Sequence, residues 1–377
     1  MKVLKRCFLI LGILLGLVLL AAAALFVTLT VTEYRPEAQE PIPLYYIAQK
    51  GSEAAPEGSW VVDFSFEGEA LDKANFSILS WNTGYCGLGA EGDFFMDGGE
   101  QVRPASEDLI QKNFDGIRAL IAEQDADFVF LQEVDSGSKR SYDIDEYAVL
   151  LDDACKAGCT GAYALNFSCK YVPYPWPPIG KVHSGLMTTS RYAVSYATRI
   201  SLPCPFSWPV SMVNLKRCLL VTRVPIAGSE KELVLVNLHL EAYDDGEGKL
   251  AQSKQLHELL AAEYEAGNYV VAGGDWNQVF PNTESAWPNT HKELWSPGYL
   301  DESELAEGWR YVWDDAVPSC RLLNQPYDPV DTANTQYYVI DGFLVSPNLV
   351  VERVETLDAD FAFSDHNPVR LTLTLGE

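Results

Sequence analysis

Eight polar residues each follow or close a short apolar run, a pattern that can place reactive groups at rigid strand ends. Asn82 follows Ser77-Ile78-Leu79-Ser80-Trp81, and Glu133 follows Phe128-Val129-Phe130-Leu131-Gln132. His239 lies in Leu235-Val236-Asn237-Leu238-His239-Leu240, and Asp275 with Asn277 follows Val270-Val271-Ala272-Gly273-Gly274. Asp341 ends Tyr338-Val339-Ile340, and Asp365-His366 follows Phe363-Ser364. Each has an ordinary reading: a turn Asn, a solvated strand-end Glu, an Asx-turn at Asp275-Trp276-Asn277, a turn at Asp365-His366-Asn367-Pro368. His239 fits such readings least, because its strand is strongly apolar. Together the set supplies oxygen ligands suited to magnesium, two histidines, and spare carboxylates to orient them.

The elements that must hold these residues are apolar strands and amphipathic helices. Strands are expected over 76–81, 127–132, 185–189, 219–224, 233–240, 269–273, 337–345 and 369–375. Several are continuous apolar runs, as expected for strands covered on both faces. A helix over 106–124 places Ile110, Phe114, Ile117 and Ile121 on one face, and one over 250–265 aligns Leu256, Leu259 and Leu260. Many strands with few helices between them imply packed sheets with outer helices.

Trp81-Asn82, Leu131-Gln132-Glu133, Asn237-Leu238-His239, Gly273-Gly274-Asp275-Trp276-Asn277, Ile340-Asp341 and Ser364-Asp365-His366-Asn367-Pro368 occur in this order. The series resembles the ordered motifs of the endonuclease/exonuclease/phosphatase superfamily, whose members include pancreatic deoxyribonuclease, neutral sphingomyelinases and inositol-polyphosphate 5-phosphatases. Ser184 to Tyr192 resembles the family's mid-chain strand, which ends in Ser followed by Lys or Arg. The resemblance implies an α/β four-layer sandwich of two packed mixed β-sheets flanked by helices, with the site at one edge. It also implies hydrolysis of phosphoesters with Mg²⁺ or Mn²⁺. By the same resemblance Asn82, Glu133 and Asp365 serve the metal, and Asp275 and Asn277 handle the attacking water. His239 and His366 then face the phosphate, with Asp341 orienting His366. Arg191 and Asn166 are candidates for substrate contact. Asp93 and Asp97 lie close enough in sequence to Asn82 to line its pocket, though loop acids need no such role.

The remainder of the chain bears on where this chemistry happens. A basic start (Lys2, Lys5, Arg6) precedes 25 residues without charge, Cys7 to Val31, which as a helix would be roughly 37 Å long. Residues 1–31 read as a transmembrane anchor with its basic end cytoplasmic, placing the rest outside the cell membrane. A cleaved signal, with Ala21–Ala24 as small residues, is the alternative and would leave a secreted protein. Residues 32–59, with Pro36, Pro41, Pro43 and Pro56, read as a stalk, and 60–377 as one catalytic domain. Clustered Cys155, Cys159 and Cys169 admit one local disulfide.

The formal net charge of -26 disfavours a stable nucleic-acid complex. A bound cation would still reverse the sign at a site. A monomer acting on lipid headgroups is the leading expectation. The aromatic loop Tyr171–Ile179 supports it as a cleft rim or membrane contact. An extracellular nuclease, a sugar or inositol phosphatase, and a non-catalytic binding protein are the alternatives.

Overall fold

The computed structural model describes residues 2–48, 55–72, 75–244, 246–330 and 334–376, so residues 49–54 of the expected stalk lie outside them. Helix α1 (Lys2–Val31) leads into β1 (Gln39–Ile42), β2 (Leu44–Ile47), β3 (Trp60–Asp63) and β4 (Asn75–Asn82). Then come α2 (Glu107–Gln124), β5 (Phe128–Asp135), α3 (Glu146–Lys156), β6 (Thr160–Val172), β7 (Gly180–Ser190) and β8 (Tyr196–Ser201). β9 (Cys218–Pro225), β10 (Glu232–His239), α4 (Glu247–Glu265) and β11 (Tyr269–Asp275) follow. The last part holds β12 (Gln278–Val279), β13 (Gly298–Tyr299), β14 (Arg310–Val312), β15 (Cys320–Arg321) and β16 (Tyr337–Tyr338). It closes with β17 (Asp341–Val345), β18 (Leu349–Thr356) and β19 (Val369–Leu375).

Two mixed sheets form the body. One runs β1-β8-β9-β10-β11-β17-β14, the other β18-β19-β4-β5-β7-β6-β2-β3. Their inner faces meet through Phe76, Ile78, Phe128 and Phe130 against Leu233, Leu235, Val271 and Phe343. This explains the unbroken apolar runs: the outer faces are covered too. Ile110, Phe114 and Ile117 of α2, with Leu150 and Leu151 of α3, pack on Leu79, Val129 and Leu131. Leu256 and Leu260 of α4 pack on Val234, Val236 and Val270. Helix α2 begins where Ser106 Oγ accepts the Leu109 N–H at 3.2 Å, with Glu107 and Asp108 in the first turn.

One polar clip ties the sheets. Asn237 of β10 donates to the Leu131 and Met187 carbonyls at 3.2 and 2.9 Å, and accepts from Gln132 at 2.8 Å. All of this is buried, so the Asn237 amide keeps its partners only while the sheets stay in register.

Three expectations are corrected. Residues 39–47 are not stalk: β1 pairs with β8 and β2 with β3 and β6, adding strands to both sheets. The expected strand over 337–345 breaks in two. Ser319 Oγ takes the Ile340 and Asp341 N–H groups, both at 3.0 Å, which turns the chain between β16 and β17. The described cysteines are unpaired, and the Cys155 thiol points at the Tyr45 carbonyl, 3.3 Å away. Helix α3 and the 13-residue β6 were not among the expected elements. Leu4–Val31 is long and apolar enough to cross a membrane, a test that a signal sequence also passes.

Candidate active site

β4 and β5 run parallel in one sheet, and β10 and β11 run parallel in the other. The carboxyl ends of both pairs open at the same edge, where α/β sheets commonly bind ligands. Register then sets the site. His239 pairs with Asp275 across β10–β11, and Asp275 pairs with Asp341 across β11–β17. Asn82 and Glu133 arrive from the facing sheet, while Asp365 and His366 come from the turn before β19.

Local backbone features aim these side chains. The β5–β7 register shifts between Leu131 and Val134, and Glu133 takes a left-handed φ of 55°. Such a bulge re-aims a side chain that regular alternation would direct elsewhere. Gly274 has φ 145°, and a Cβ there would lie 1.9 Å from the Leu238 carbonyl oxygen. Only glycine lets β11 close on β10 beside Asp275. Asp275 Oδ1 accepts the Asn277 N–H at 2.9 Å, holding Asn277 at φ 49°, and Asn277 Nδ2 donates to the Leu240 carbonyl at 2.9 Å. Ser364 Oγ donates to the Asn82 carbonyl and Trp81 Nε1 to the His366 carbonyl, both at 2.8 Å, which fixes the two ends of the cluster together.

The polar centre is tightly linked. Asn82 Nδ2 donates to Asp275 Oδ2 at 2.9 Å and faces Glu133 Oε1 at 3.4 Å. His239 Nε2 lies 3.4 Å from Asp275 Oδ2, and His366 Nε2 lies 3.8 Å from both Asp275 Oδ2 and Asp365 Oδ2. His366 Nδ1 donates to Asp341 Oδ2 at 2.8 Å, and Ser319 Oγ donates to the same oxygen at 2.8 Å. Burial depresses the His366 imidazole, but Asp341 and the acids around it outweigh this and hold it well above its ordinary value. His239 moves the other way: burial first, then Arg217, His366 and Arg140, hold it well below. Burial raises Asp275 despite the opposing charge of His366, and pushes Asp365 up to about 7 with Glu133 adding to the shift. Two imidazoles driven apart beside carboxylates driven up form a set of acids and bases spread across neutral pH.

A cation fits this donor set. Carboxylates crowd a buried site, Asp365 is raised partly by Glu133, and the amide of Asn82 sits between Glu133 and Asp275. Two further clusters of closely spaced donors, Asp275-Asp341-His366 and Cys320-Asp365-His366, are available. Oxygen donors of this kind suit a hard divalent ion.

The cluster forms the floor of a cavity of about 600 Å³. Asn166 lines it, buried in β6. Arg191 does not. It pairs with Asp125 at 2.6 Å, and its N–H donates to the Asp127 carbonyl at the opposite end of β5. Six residues of strand put it roughly 20 Å from Glu133. The arginines that line the cavity are instead Arg140, Arg217 and Arg321, none singled out in the sequence. Arg140 grips Asp135 at 2.9 and 3.0 Å, stacks 3.8 Å over the Tyr85 ring and lies 3.8 Å from Glu133. Arg217 donates to the His239 carbonyl at 3.4 Å, while its buried Nε faces Glu241 Oε2 at 3.6 Å. Asp97 also lines the cavity, accepting from the Tyr243 hydroxyl at 2.9 Å, and burial pushes it up to about 6. Arg321 holds the loop after β4 in place by donating to the Gly89 and Gly92 carbonyls at 2.8 and 3.0 Å.

The sequence matches the model of the Endonuclease/Exonuclease/phosphatase family over residues 79–366. The chain belongs to that family. Two solved structures agree on the fold, and a third shows similarity alone. An endonuclease/exonuclease/phosphatase from Beutenbergia cavernae DSM 12333 is 19% identical, with TM-score 0.55, covering 81% of this chain and 72% of the other. ANGEL2, a 2',3'-cyclic phosphatase, is 13% identical with TM-score 0.50, covering 82% and 98%. The human Nocturnin catalytic domain is 17% identical with TM-score 0.49, covering 81% and 95%. No curated protein sequence matches significantly. Enzymes of the Endonuclease/Exonuclease/phosphatase family hydrolyse phosphoesters and are generally dependent on divalent metals. The family match begins at Leu79 in β4 and ends at His366, in the turn before β19. Helix α1 lies outside it.

Proposed function

We propose that this protein is a Mg²⁺-dependent phosphodiesterase acting on phospholipid headgroups at the outer face of a membrane. The observation that carries the reading is the convergence of Asn82, Glu133, Asp365, His239, Asp275, Asn277 and His366 on the floor of one cavity with largely apolar walls. Asn82, Glu133 and Asp365 would hold the metal, which when bound polarises a phosphoryl oxygen and stabilises the leaving oxygen. Asp275, raised towards neutrality and fixed by Asn82 and Asn277, accepts a proton from the attacking water. In-line displacement needs attack and departure on opposite sides of phosphorus. His366 lies 3.8 Å from Asp275, on the attacking side, so its proton serves charge growing on a non-bridging oxygen. His239, held neutral, adds a second donor, and Arg217 supplies positive charge behind it. The apolar walls, including Phe94, Phe167, Val172 and Leu215, favour a substrate with an apolar portion over a free sugar phosphate. The acidic chain disfavours nucleic acid.

The test presents the full chain with sphingomyelin, glycerophospholipid, DNA, RNA and inositol phosphates, each with Mg²⁺ or with chelator. Mg²⁺-dependent cleavage of a phospholipid, abolished by His366→Ala in a folded protein, is expected. Cleavage of nucleic acid or inositol phosphate alone would replace the substrate assignment, and no cleavage of any would overturn the catalytic reading.

A further inference from the structure

Helix α1 does not end in a free tether. Leu25 and Leu29 pack with Phe167, Val172, Met212 and Leu215, and Phe26 meets the Trp208 ring edge-on at 5.2 Å. Thr30 donates to Met212 Sδ at 3.2 Å, and Glu33 pairs with Lys216 at 3.0 Å. Tyr34 donates to the Leu165 carbonyl at 3.4 Å, and β1 begins at Gln39. A span docked this way sets the orientation of the body as well as its location.

The docked face is also a wall of the cavity. Phe167, Val172, Ile179, Val213 and Leu215 belong to the cluster around α1, and the same residues line the cavity. Beside them the surface is apolar and exposed: Tyr174 is 73% exposed, Trp176 87%, Trp208 53% and Val210 50%. Tyr174 reaches from this rim to Phe95 inside the mouth, with ring centroids 6.3 Å apart. Charge follows the same pattern. The chain carries 53 Asp and Glu, yet segments 170–182 and 202–217, which build this rim, contain none. Trp208 touches α1 five residues before its end, roughly 7–8 Å back along the axis. Interfacial Trp and Tyr settle at that depth.

We infer that the cavity mouth sits in the headgroup layer of the bilayer that α1 spans, with Trp176 and Trp208 inserted, so that lipid substrate enters laterally from that leaflet. The inference rests on the proposed hydrolysis for its substrate, while the placement of the rim stands on the docking of α1. The net acidic charge of the chain would be repelled by an anionic surface, so a zwitterionic one suits it better.

The test uses the full chain in phosphatidylcholine vesicles with or without bromine on the acyl chains. Helix α1 contains no Trp, so quenching reports on the body alone. Bromolipid should quench the wild type, and the quenched fraction should fall at least about twofold in Trp176→Phe/Trp208→Phe. Absence of quenching, as with a rim covered by a second copy of the chain, or quenching unchanged in the double variant, overturns the inference. Trp176→Ser/Trp208→Ser should lower hydrolysis of vesicle phospholipid about tenfold, equivalent to roughly 1.4 kcal/mol. Hydrolysis of soluble bis-para-nitrophenyl phosphate in the same vesicles should not change, and an equal loss on both substrates also overturns it. Normal quenching without hydrolysis of either substrate would defeat the catalytic reading and leave the membrane-facing rim standing.

Discussion

Replacing Asp341 by Asn removes one charge from the buried His366 pair and leaves its shape intact. Asp341 Oδ2 lies 2.8 Å from His366 Nδ1, and both side chains are buried. An opposite charge at this range moves a pKa by about 1–3 units, or roughly 1.4–4 kcal/mol. Without it, burial pulls His366 back down, because burial is the larger opposing influence. A neutral His366 at neutral pH stabilises less transition-state charge, and loss of one such donor costs about 10²–10³ in kcat. Stability should change with pH in a defined direction. The wild-type imidazole has its folded pKa above its unfolded value. Its contribution is therefore complete below about pH 6.5 and is lost as pH rises through the raised value. Asp341→Asn should cost more stability near about pH 6 than near about pH 10. The kcat–pH profile on bis-para-nitrophenyl phosphate with Mg²⁺, and thermal melts at both pH values, provide the measurement. A variant with wild-type kcat and an unchanged profile would show that the 2.8 Å pair does not set the protonation of His366.

Arg191→Ala should change kcat/KM by less than about twofold and stability by less than about 1 kcal/mol, because its partner Asp125 is an exposed residue far from the cavity. Steady-state kinetics and a urea melt check both. Asn237→Leu should destabilise the protein by at least about 3 kcal/mol, since Gln132 and two carbonyls lose a buried partner, each worth about 1–3 kcal/mol. A urea midpoint equal to that of the wild type would show that the clip does not join the sheets.

The contrast between Arg191 and Arg217 shows where sequence reading runs out. Strand ends carrying Asn82, His239 and Asp275 were legible because apolar runs mark strands and polar residues mark where they stop. Strand direction is not written that way. β7 runs antiparallel to β5, so Ser184 pairs beside the site with Asp135, while Ser190 pairs with Phe128 at the far edge. Arg191 follows Ser190 and is carried away with it. Arg217 has no motif. It reaches His239 only because β9 pairs antiparallel with β10, Leu219 opposite Leu238.

The same limit applies to the segment after α1. Pro36, Pro41 and Pro43 suggested a linker, yet Pro41 sits in β1, an edge strand, where a missing N–H is tolerated. Composition registers proline but not sheet position. The difference has a physical consequence. A true stalk would let the catalytic edge face any direction, whereas β1 from Gln39 and β2 from Leu44 bind the chain to both sheets. Taken with the Glu33–Lys216 pair and the packing of Leu29, this leaves little freedom between the apolar helix and the cavity. Lengthening the connection by a flexible insert after Ala38 should therefore lower hydrolysis of vesicle lipid while sparing a soluble diester. Equal activity on vesicles with and without the insert would show that orientation by α1 plays no part.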